Sequence, residues 1–203
     1  MTIRQARPFY HARWLFPEAI FRIRSSEKAV LLTFDDGPSP ESTPDLLGIL
    51  DSANVRAIFF CNGKAAEKYP DLVNDMKRRG HIVGNHGYDH ISGWSTSIKV
   101  YCDNAERASH FTSATLFRPP YGQLRIRQYR SLRKSYRIFF WDIMSFDYDL
   151  TFGAERSLEL LKRKLRSGSV IVLHDTPAST CRIFLKEFID SSRGRGYKFC
   201  ISA

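Results

Sequence analysis

Short runs of apolar, β-branched and aromatic residues alternate along the chain with longer stretches in which apolar positions recur at helical spacing. The short runs have the length of strands and are bounded by glycine, proline or polar residues, which indicates buried β-strands. Seven strands are predicted, at residues 30–34, 55–60, 81–83, 116–118, 137–141, 169–174 and 197–201. Six helices are predicted between them, at residues 43–53, 64–79, 96–112, 124–134, 154–166 and 179–193. This alternation predicts an α/β protein with a parallel sheet.

The number of strand–helix units favours a distorted (β/α)7 barrel over an eight-unit barrel of typical size. A doubly wound open sheet is the alternative. The chain has 203 residues, of which 43% are hydrophobic, so it is long enough for one domain with its own core. We predict a single domain at residues 29–203 behind an N-terminal extension at residues 1–28. In both architectures, functional side chains are expected at the carboxyl ends of the strands.

The predicted extension is basic and aromatic. Charge or proline interrupts its apolar runs every few residues, so they are too short for the core of a signal peptide or for a membrane span. We expect its aromatic side chains to pack on the barrel, with contact to a membrane surface as the alternative. Because no export signal or span is evident, the expected location is cytoplasmic or peripheral to a membrane.

The formal net charge of +10 favours an anionic partner such as nucleic acid, a lipid surface or an acidic polymer. A solvated basic surface is the commoner origin of such a charge, so we expect no specific nucleic-acid contact. The four cysteines have no CxxC spacing, which indicates neither a zinc knuckle nor a disulfide framework. They are expected in the core.

Two adjacent carboxylates, Asp35 and Asp36, end the first predicted strand, and Gly37 and Pro38 stop it. Neighbouring carboxylates resist joint ionisation unless a cation or an arginine lies close to them. Consecutive strand residues point to opposite sides, so one aspartate can bind a metal while the other faces a reacting atom. A simple turn with helix-capping chemistry is the alternative interpretation of these residues.

Polar residues also follow the third and fourth predicted strands. His86 and His90 lie four residues apart, and with an aspartate they form a three-ligand set that leaves the open position of a catalytic zinc site. Arg118 stands before two prolines and supplies the cation that the aspartate pair requires. The backbone N–H of Tyr121 can face a developing oxyanion.

The last two predicted site elements are Asp147, after the fifth strand, and His174, at the end of the sixth. A carboxylate beside a histidine favours the imidazolium form, which a general acid needs. Val172 shares a strand face with His174, so we predict that Val172 lines a small apolar pocket beside it.

Five ordered motifs carry a resemblance to a known family: TFDDG at 33–37, HxxxH at 86–90, RPPYG at 118–122, Asp147, and Leu173 with His174. They resemble the motifs of the polysaccharide deacetylases, the NodB-homology domain of carbohydrate esterase family 4. The resemblance implies a distorted (β/α)7 barrel with a divalent metal, zinc first and cobalt, nickel or manganese as alternatives. It implies hydrolysis of the N-acetyl group of a sugar such as N-acetylglucosamine in a peptidoglycan-like or chitin-like polymer or oligosaccharide. We expect a monomer.

By position, the resemblance makes Asp35 the general base, oriented by Arg118, and His174 the general acid, supported by Asp147. The implied metal ligands are Asp36, His86 and His90. The residues predicted to contact substrate are Tyr121, Tyr148, Val172 and Leu173.

The sequence departs from the family pattern at two positions. Gly87 stands where the family usually has serine or threonine, so a hydroxyl that would brace the histidine loop is missing. Tyr148 stands where tryptophan is usual, so the acetyl pocket is expected to have a different shape. Three other functions stay open: an amidase of the same fold acting on a small linear or cyclic amide, a non-catalytic basic module binding nucleic acid or the cell envelope, and a degenerate carbohydrate-binding barrel. The complete set of catalytic side chains argues against the last.

Overall fold

A computed structural model describes residues 6–8, 11–25, 27–113 and 115–201. Residues 1–5, 9, 10 and 26 of the predicted extension therefore lie outside the described residues. The strands are Ala29–Asp35 (β1), Ile58–Cys61 (β2), Ile82–Asn85 (β3), Leu116–Phe117 (β4), Arg137–Ile138 (β5), Ile143–Met144 (β6), Val170–His174 (β7) and Lys198–Phe199 (β8). The helices are Ala12–Leu15 (α1), Thr43–Ser52 (α2), Gly63–Lys68 (α3), Pro70–Arg78 (α4), Ile98–Ser109 (α5), Ile126–Leu132 (α6), Ala154–Lys164 (α7) and Cys181–Gly194 (α8).

The strands form one parallel sheet in the order β5-β4-β3-β2-β1-β7-β6, and β8 pairs with the start of β1. The sheet curls into an incomplete barrel, which confirms the predicted α/β class and distorted barrel. β1 is an interior strand between β2 and β7, and all seven of its residues are buried. Val30 and Leu32 pack in one apolar cluster and Leu31 in another, so both faces of β1 are covered. A strand covered on both faces reads as a continuous apolar run in the sequence.

The N-terminal extension fills the gap between β5 and β6, which do not pair with each other within the described residues. Ile20 donates its N–H to Ile138 O at 2.8 Å and accepts one from Phe140 N at 2.9 Å. On the other side of the gap, Met144 N donates to Ala6 O at 2.8 Å. Two buried aromatic rings of the extension stack on the Phe140 ring: Phe16 and Phe21.

Several elements differ from the predictions. The predicted helix at 64–79 is two helices, α3 and α4, because Pro70 has no N–H for a continuous helix. β6 and the short helix α1 were not predicted. The four cysteines are free, and Cys61 and Cys181 are buried. None of the helices within the described ranges has both the length and the apolar character needed to cross a bilayer.

Candidate active site

The aspartate pair lies at the carboxyl end of β1. Asp35 is the last residue of the strand and is 5% exposed, and its register partners are Phe60 of β2 and His174 of β7. Asp36 has a φ of 79°, so it has already left the strand. Both side chains line the same cavity, and this turn in the backbone, rather than the alternation of a regular strand, separates their directions.

Arg118 holds Asp35 in place. Its side chain is fully buried, and Nη1 donates to Asp35 Oδ1 at 2.6 Å and to Thr33 Oγ1 at 2.7 Å. Nη2 donates to Phe140 O at 3.0 Å, and the guanidinium stacks over the Phe60 ring at 4.2 Å. Burial lowers the pKa of Arg118 and the charge of Asp35 opposes that shift, so the cation persists beside the carboxylate.

Asp36, His86 and His90 bring one ligand atom each to a common point, with all three atoms within 4.8 Å of one another. Asp36 Oδ1 lies 3.0 Å from His90 Nε2 and 3.6 Å from His86 Nε2. This oxygen is buried and has no partner with hydrogen-bond geometry, so it is free to bind a cation. The set therefore fits a divalent metal that accepts nitrogen and oxygen ligands.

The tautomer of His86 suits metal binding. His86 Nδ1 lies 2.8 Å from Arg118 O, and a carbonyl oxygen only accepts, so Nδ1 carries the proton and Nε2 keeps its lone pair. Burial lowers the pKa of His86, which favours the neutral imidazole that a metal requires. For Asp36, burial favours the neutral acid, but the adjacent His90 and His86 hold its pKa well below the ordinary value.

Position 87 has no hydroxyl, and the histidine loop is held instead by the side chains of Asn85 and Asn104. Gly87 has a φ of 75°, which suits glycine, and its N–H donates to Asn85 Oδ1 at 2.8 Å. Asn104 of α5 reaches the loop from outside: Oδ1 accepts from Tyr88 N at 2.8 Å, and Nδ2 donates to Asp89 Oδ2 at 2.8 Å. Asn104 was not predicted as part of the site; it is a polar residue on the buried face of α5.

We expect Asn104→Leu to weaken the binding of a divalent cation by roughly 10–100-fold, the usual effect of removing a group that orients metal ligands. The change removes the acceptor of Tyr88 N–H while keeping a buried side chain of similar size. Zinc titration by calorimetry measures the effect. Asn74→Leu, an exposed position on α4, is the matched control. Equal zinc affinity in both variants and in the unaltered protein would contradict the bracing role.

On the opposite side, His174 is bound to Asp147. His174 Nδ1 lies 2.8 Å from Asp147 Oδ1, and His174 N donates to Asp147 Oδ2 at 2.8 Å. Asp147 is fully buried and also accepts hydrogen bonds from two hydroxyls that were not predicted, each at 2.6 Å: Ser145 Oγ and Ser179 Oγ. Burial alone would lower the pKa of His174, but the charge and hydrogen bond of Asp147 raise it to about 9. Because Nδ1 is occupied, Nε2 is the nitrogen left for substrate.

These groups surround one cavity of about 400 Å³. Asp35, Asp36, His86, His90, Tyr121, Tyr148 and His174 all line it, together with Pro119, Gly122, Trp141, Met144 and Phe146. Tyr148 packs edge-on against the His174 ring at 4.8 Å, and Tyr121 packs against His90 at 4.5 Å.

Two predicted substrate contacts, Val172 and Leu173, do not reach the cavity. Both side chains are fully buried in the apolar core. The cavity lies beyond the carboxyl end of β7, so only the last residue of this strand, His174, reaches it. Met144 and Phe146 supply the apolar wall in their place.

Comparison with known proteins gives concordant matches. Residues 22–136 match the sequence model of a family described as polysaccharide deacetylase. A peptidoglycan-N-acetylglucosamine deacetylase of Bacillus cereus is 32% identical over 155 residues, which are 73% of this chain and 56% of that protein. The chain thus spans just over half the length of this relative. A second protein of the same name and organism is 27% identical over 188 residues, which are 88% of each chain.

A solved structure has a similar fold. It is described as a peptidoglycan N-acetylglucosamine deacetylase in complex with 4-naphthalen-1-yl-N-oxidanyl-benzamide. The superposition has a TM-score of 0.84 at 28% sequence identity and covers 93% of each chain.

Proposed function

Because the chain belongs to the polysaccharide deacetylase family, we propose that it hydrolyses the N-acetyl group of an acetylated amino sugar in a polymer or oligosaccharide. The observation that carries this proposal is the convergence of three units on one cavity: Asp35 with Arg118, the Asp36–His86–His90 set, and His174 with Asp147. All of these groups come from one chain, which supports action as a monomer.

The family is divalent-metal dependent, and we propose zinc as the metal, held by Asp36, His86 and His90, with cobalt, nickel or manganese as alternatives. Three protein ligands of nitrogen and oxygen type are common in catalytic zinc sites. When bound, the ion supplies Lewis-acid polarisation of the amide carbonyl and lowers the pKa of water.

In the proposed reaction, Asp35 takes a proton from the water whose oxygen attacks the carbonyl carbon. Arg118 supports this role because it keeps Asp35 ionised and fixes the direction of its carboxylate. The N–H of Tyr121 is proposed to donate to the oxygen that becomes negative. His174 gives a proton to the departing nitrogen, since an unprotonated amine is a poor leaving group. The C–N bond breaks, and acetate and a free amino sugar leave.

The experiment that tests the function is acetate release from N-acetylated chitooligosaccharides and peptidoglycan fragments after the protein has been loaded with each candidate metal. Acetate is expected together with an equal amount of free amine. Hydrolysis of small linear or cyclic amides, with no acetate released from any glycan, would instead assign the amidase function.

Asp147→Asn should move the alkaline limb of the pH profile to lower pH. In the folded protein His174 has a pKa of about 9, so it carries its proton below that pH and loses it as the pH rises through it. Without the charge and hydrogen bond of Asp147, burial lowers the pKa of His174 against only the smaller effects of Asp35 and Asp36, so the acid form is lost at lower pH. The measurement is kcat/KM against pH at saturating metal. An unmoved alkaline limb in a folded, metal-loaded variant would overturn the pairing.

The control for this experiment is Asp149→Asn, which changes a nearby aspartate whose carboxylate caps the following turn through Thr151 N at 3.0 Å. It removes one negative charge from the same loop and keeps the Asp147–His174 pair, so its alkaline limb should stay in place. A shift of equal size in both variants would indicate a general charge effect of the loop.

A further inference from the structure

A second, larger cavity of about 840 Å³ lies beside the candidate active site. Tyr121, Gly122 and Trp141 line both cavities, so the two share a wall. We call the second cavity the side groove. The N-terminal extension forms one side of it, and the segments after β3 and β4 form the other. Its apolar lining includes Leu15, Phe16, Trp94, Ile98, Leu124 and Ile126.

The lining of the side groove suits an apolar chain better than a sugar. Leu15 is 50% exposed, Trp94 62% and Ile126 41%, so large apolar side chains face solvent together around one concave surface. A contiguous exposed apolar surface of this kind marks a binding site. Sugar hydroxyls placed against leucine and isoleucine would lose water without gaining hydrogen bonds, which is unfavourable.

The edge of the groove carries positive charge. Arg125 donates to the neutral carbonyl oxygen of Trp94, so this contact leaves its charge uncompensated. Arg127 is exposed and forms no ion pair among the residues that the structure describes. Arg7, by contrast, is 3.6 Å from Asp142. Two arginines are therefore available to an anionic group beside the apolar lining.

We propose that the side groove binds the alkyl chain of an amphiphilic substrate, in which the N-acetylated amino sugar is joined to a long apolar chain through a phosphate group. This inference rests on the proposed function and names its substrate class. The sugar occupies the candidate active site, the phosphate lies near Arg125 and Arg127, and the chain follows the groove. The shared wall of the two cavities allows one molecule to occupy both.

Chain length tests the apolar part of the inference. The substrates are the methyl, butyl and octyl β-glycosides of N-acetylglucosamine, each kept below its micelle-forming concentration. From butyl to octyl, kcat/KM should rise on the order of tenfold, mainly through KM, because four further methylenes are partly buried. In the double variant Leu15→Ser, Ile126→Ser, the ratio of kcat/KM for the octyl glycoside to that for the butyl glycoside should fall towards one. Ile183→Ser is the control, since Ile183 is 76% exposed on α8 and lies outside the groove lining.

A phosphate link tests the charged edge. We compare the octyl glycoside with N-acetylglucosaminyl octyl phosphate, whose kcat/KM should be higher by roughly two- to fivefold, as for an exposed ion pair. Arg127→Gln should remove most of this advantage, and added salt should reduce it. Arg156→Gln, at an exposed position on α7, is the matched control and should keep it.

The outcomes separate this inference from the function on which it rests. Acetate release from chitooligosaccharides with equal kcat/KM for the methyl and octyl glycosides would overturn the side-groove inference and leave the proposed function standing. No acetate from any substrate, in metal-loaded protein, would overturn both. Binding to vesicles of phosphatidylglycerol without chain-length dependence would assign the face to a membrane surface and overturn the substrate assignment.

Discussion

His86→Ala is expected to abolish acetate release and to remove most of the affinity for a divalent cation. His86 Nε2 is one of three converging ligand atoms, and its ring is fixed by the contact of Nδ1 with Arg118 O at 2.8 Å. Loss of a group that only orients a metal ligand lowers metal affinity by roughly 10–100-fold. The zinc affinity of His86→Ala should fall by more than this, because a ligand itself is lost. A remaining pair, Asp36 and His90, offers only two ligands.

The measurement is the zinc content of the protein after dialysis, together with acetate release at saturating zinc. His90→Ala should behave in the same way, since His90 Nε2 lies 3.0 Å from the same oxygen of Asp36. His110→Ala is the matched control, because His110 caps the end of α5 and is not part of the ligand set. Full zinc content and full rate in both His86→Ala and His90→Ala would overturn the ligand assignment.

The sequence predicted the strand ends well, because each of the longer strands is a compact apolar run whose end is marked by polar residues. β1 and β7 are of this kind, and they bring Asp35 and His174 into register across one sheet. β6 was missed because it has only two residues, Ile143 and Met144, and lies among polar residues. A strand this short has no periodicity to detect.

No local sequence pattern predicts how the barrel closes. Ile20 completes the gap beside β5 through backbone bonds to residues more than a hundred positions away. Such bonds depend on backbone geometry rather than on side-chain type, so the sequence indicated only that aromatic residues of the extension pack on the barrel. The same segment forms one side of the side groove, which is a consequence of its position in the fold.

The supports of the site were predictable only in part. The Arg118–Asp35 and His174–Asp147 pairs each join groups whose chemistry requires the other, so the residue types alone indicated them. Asn104 and Ser179 belong to helical or loop segments where a polar residue has many ordinary roles. The prediction that Val172 lines the pocket is wrong for a geometric reason: Val172 shares a strand face with His174 but does not lie at the end of the strand, where the cavity is.

Asp35→Asn is expected to keep the metal and lose most of the rate. The two aspartates differ in what their oxygens contact. Asp35 Oδ1 is bonded to Arg118 at 2.6 Å, and Asp35 Oδ2 lies 3.9 Å from His86 Nε2. Asp36 Oδ1 has no hydrogen bond and lies closer to both histidines, so Asp36 is the better ligand.

An amide at position 35 cannot accept the proton from water, so the rate should fall by about 10²–10⁴-fold, the usual contribution of a general base. Arg118 stays held by Thr33 Oγ1 and Phe140 O, so the fold of the site should persist. Asp36→Asn should lose both zinc and rate. Zinc content and kcat/KM are measured for both variants, with the exposed Asp71→Asn on α4 as the control. Equal loss of zinc from Asp35→Asn and Asp36→Asn would mean that both carboxylates bind the metal, and the base would then have to be another group.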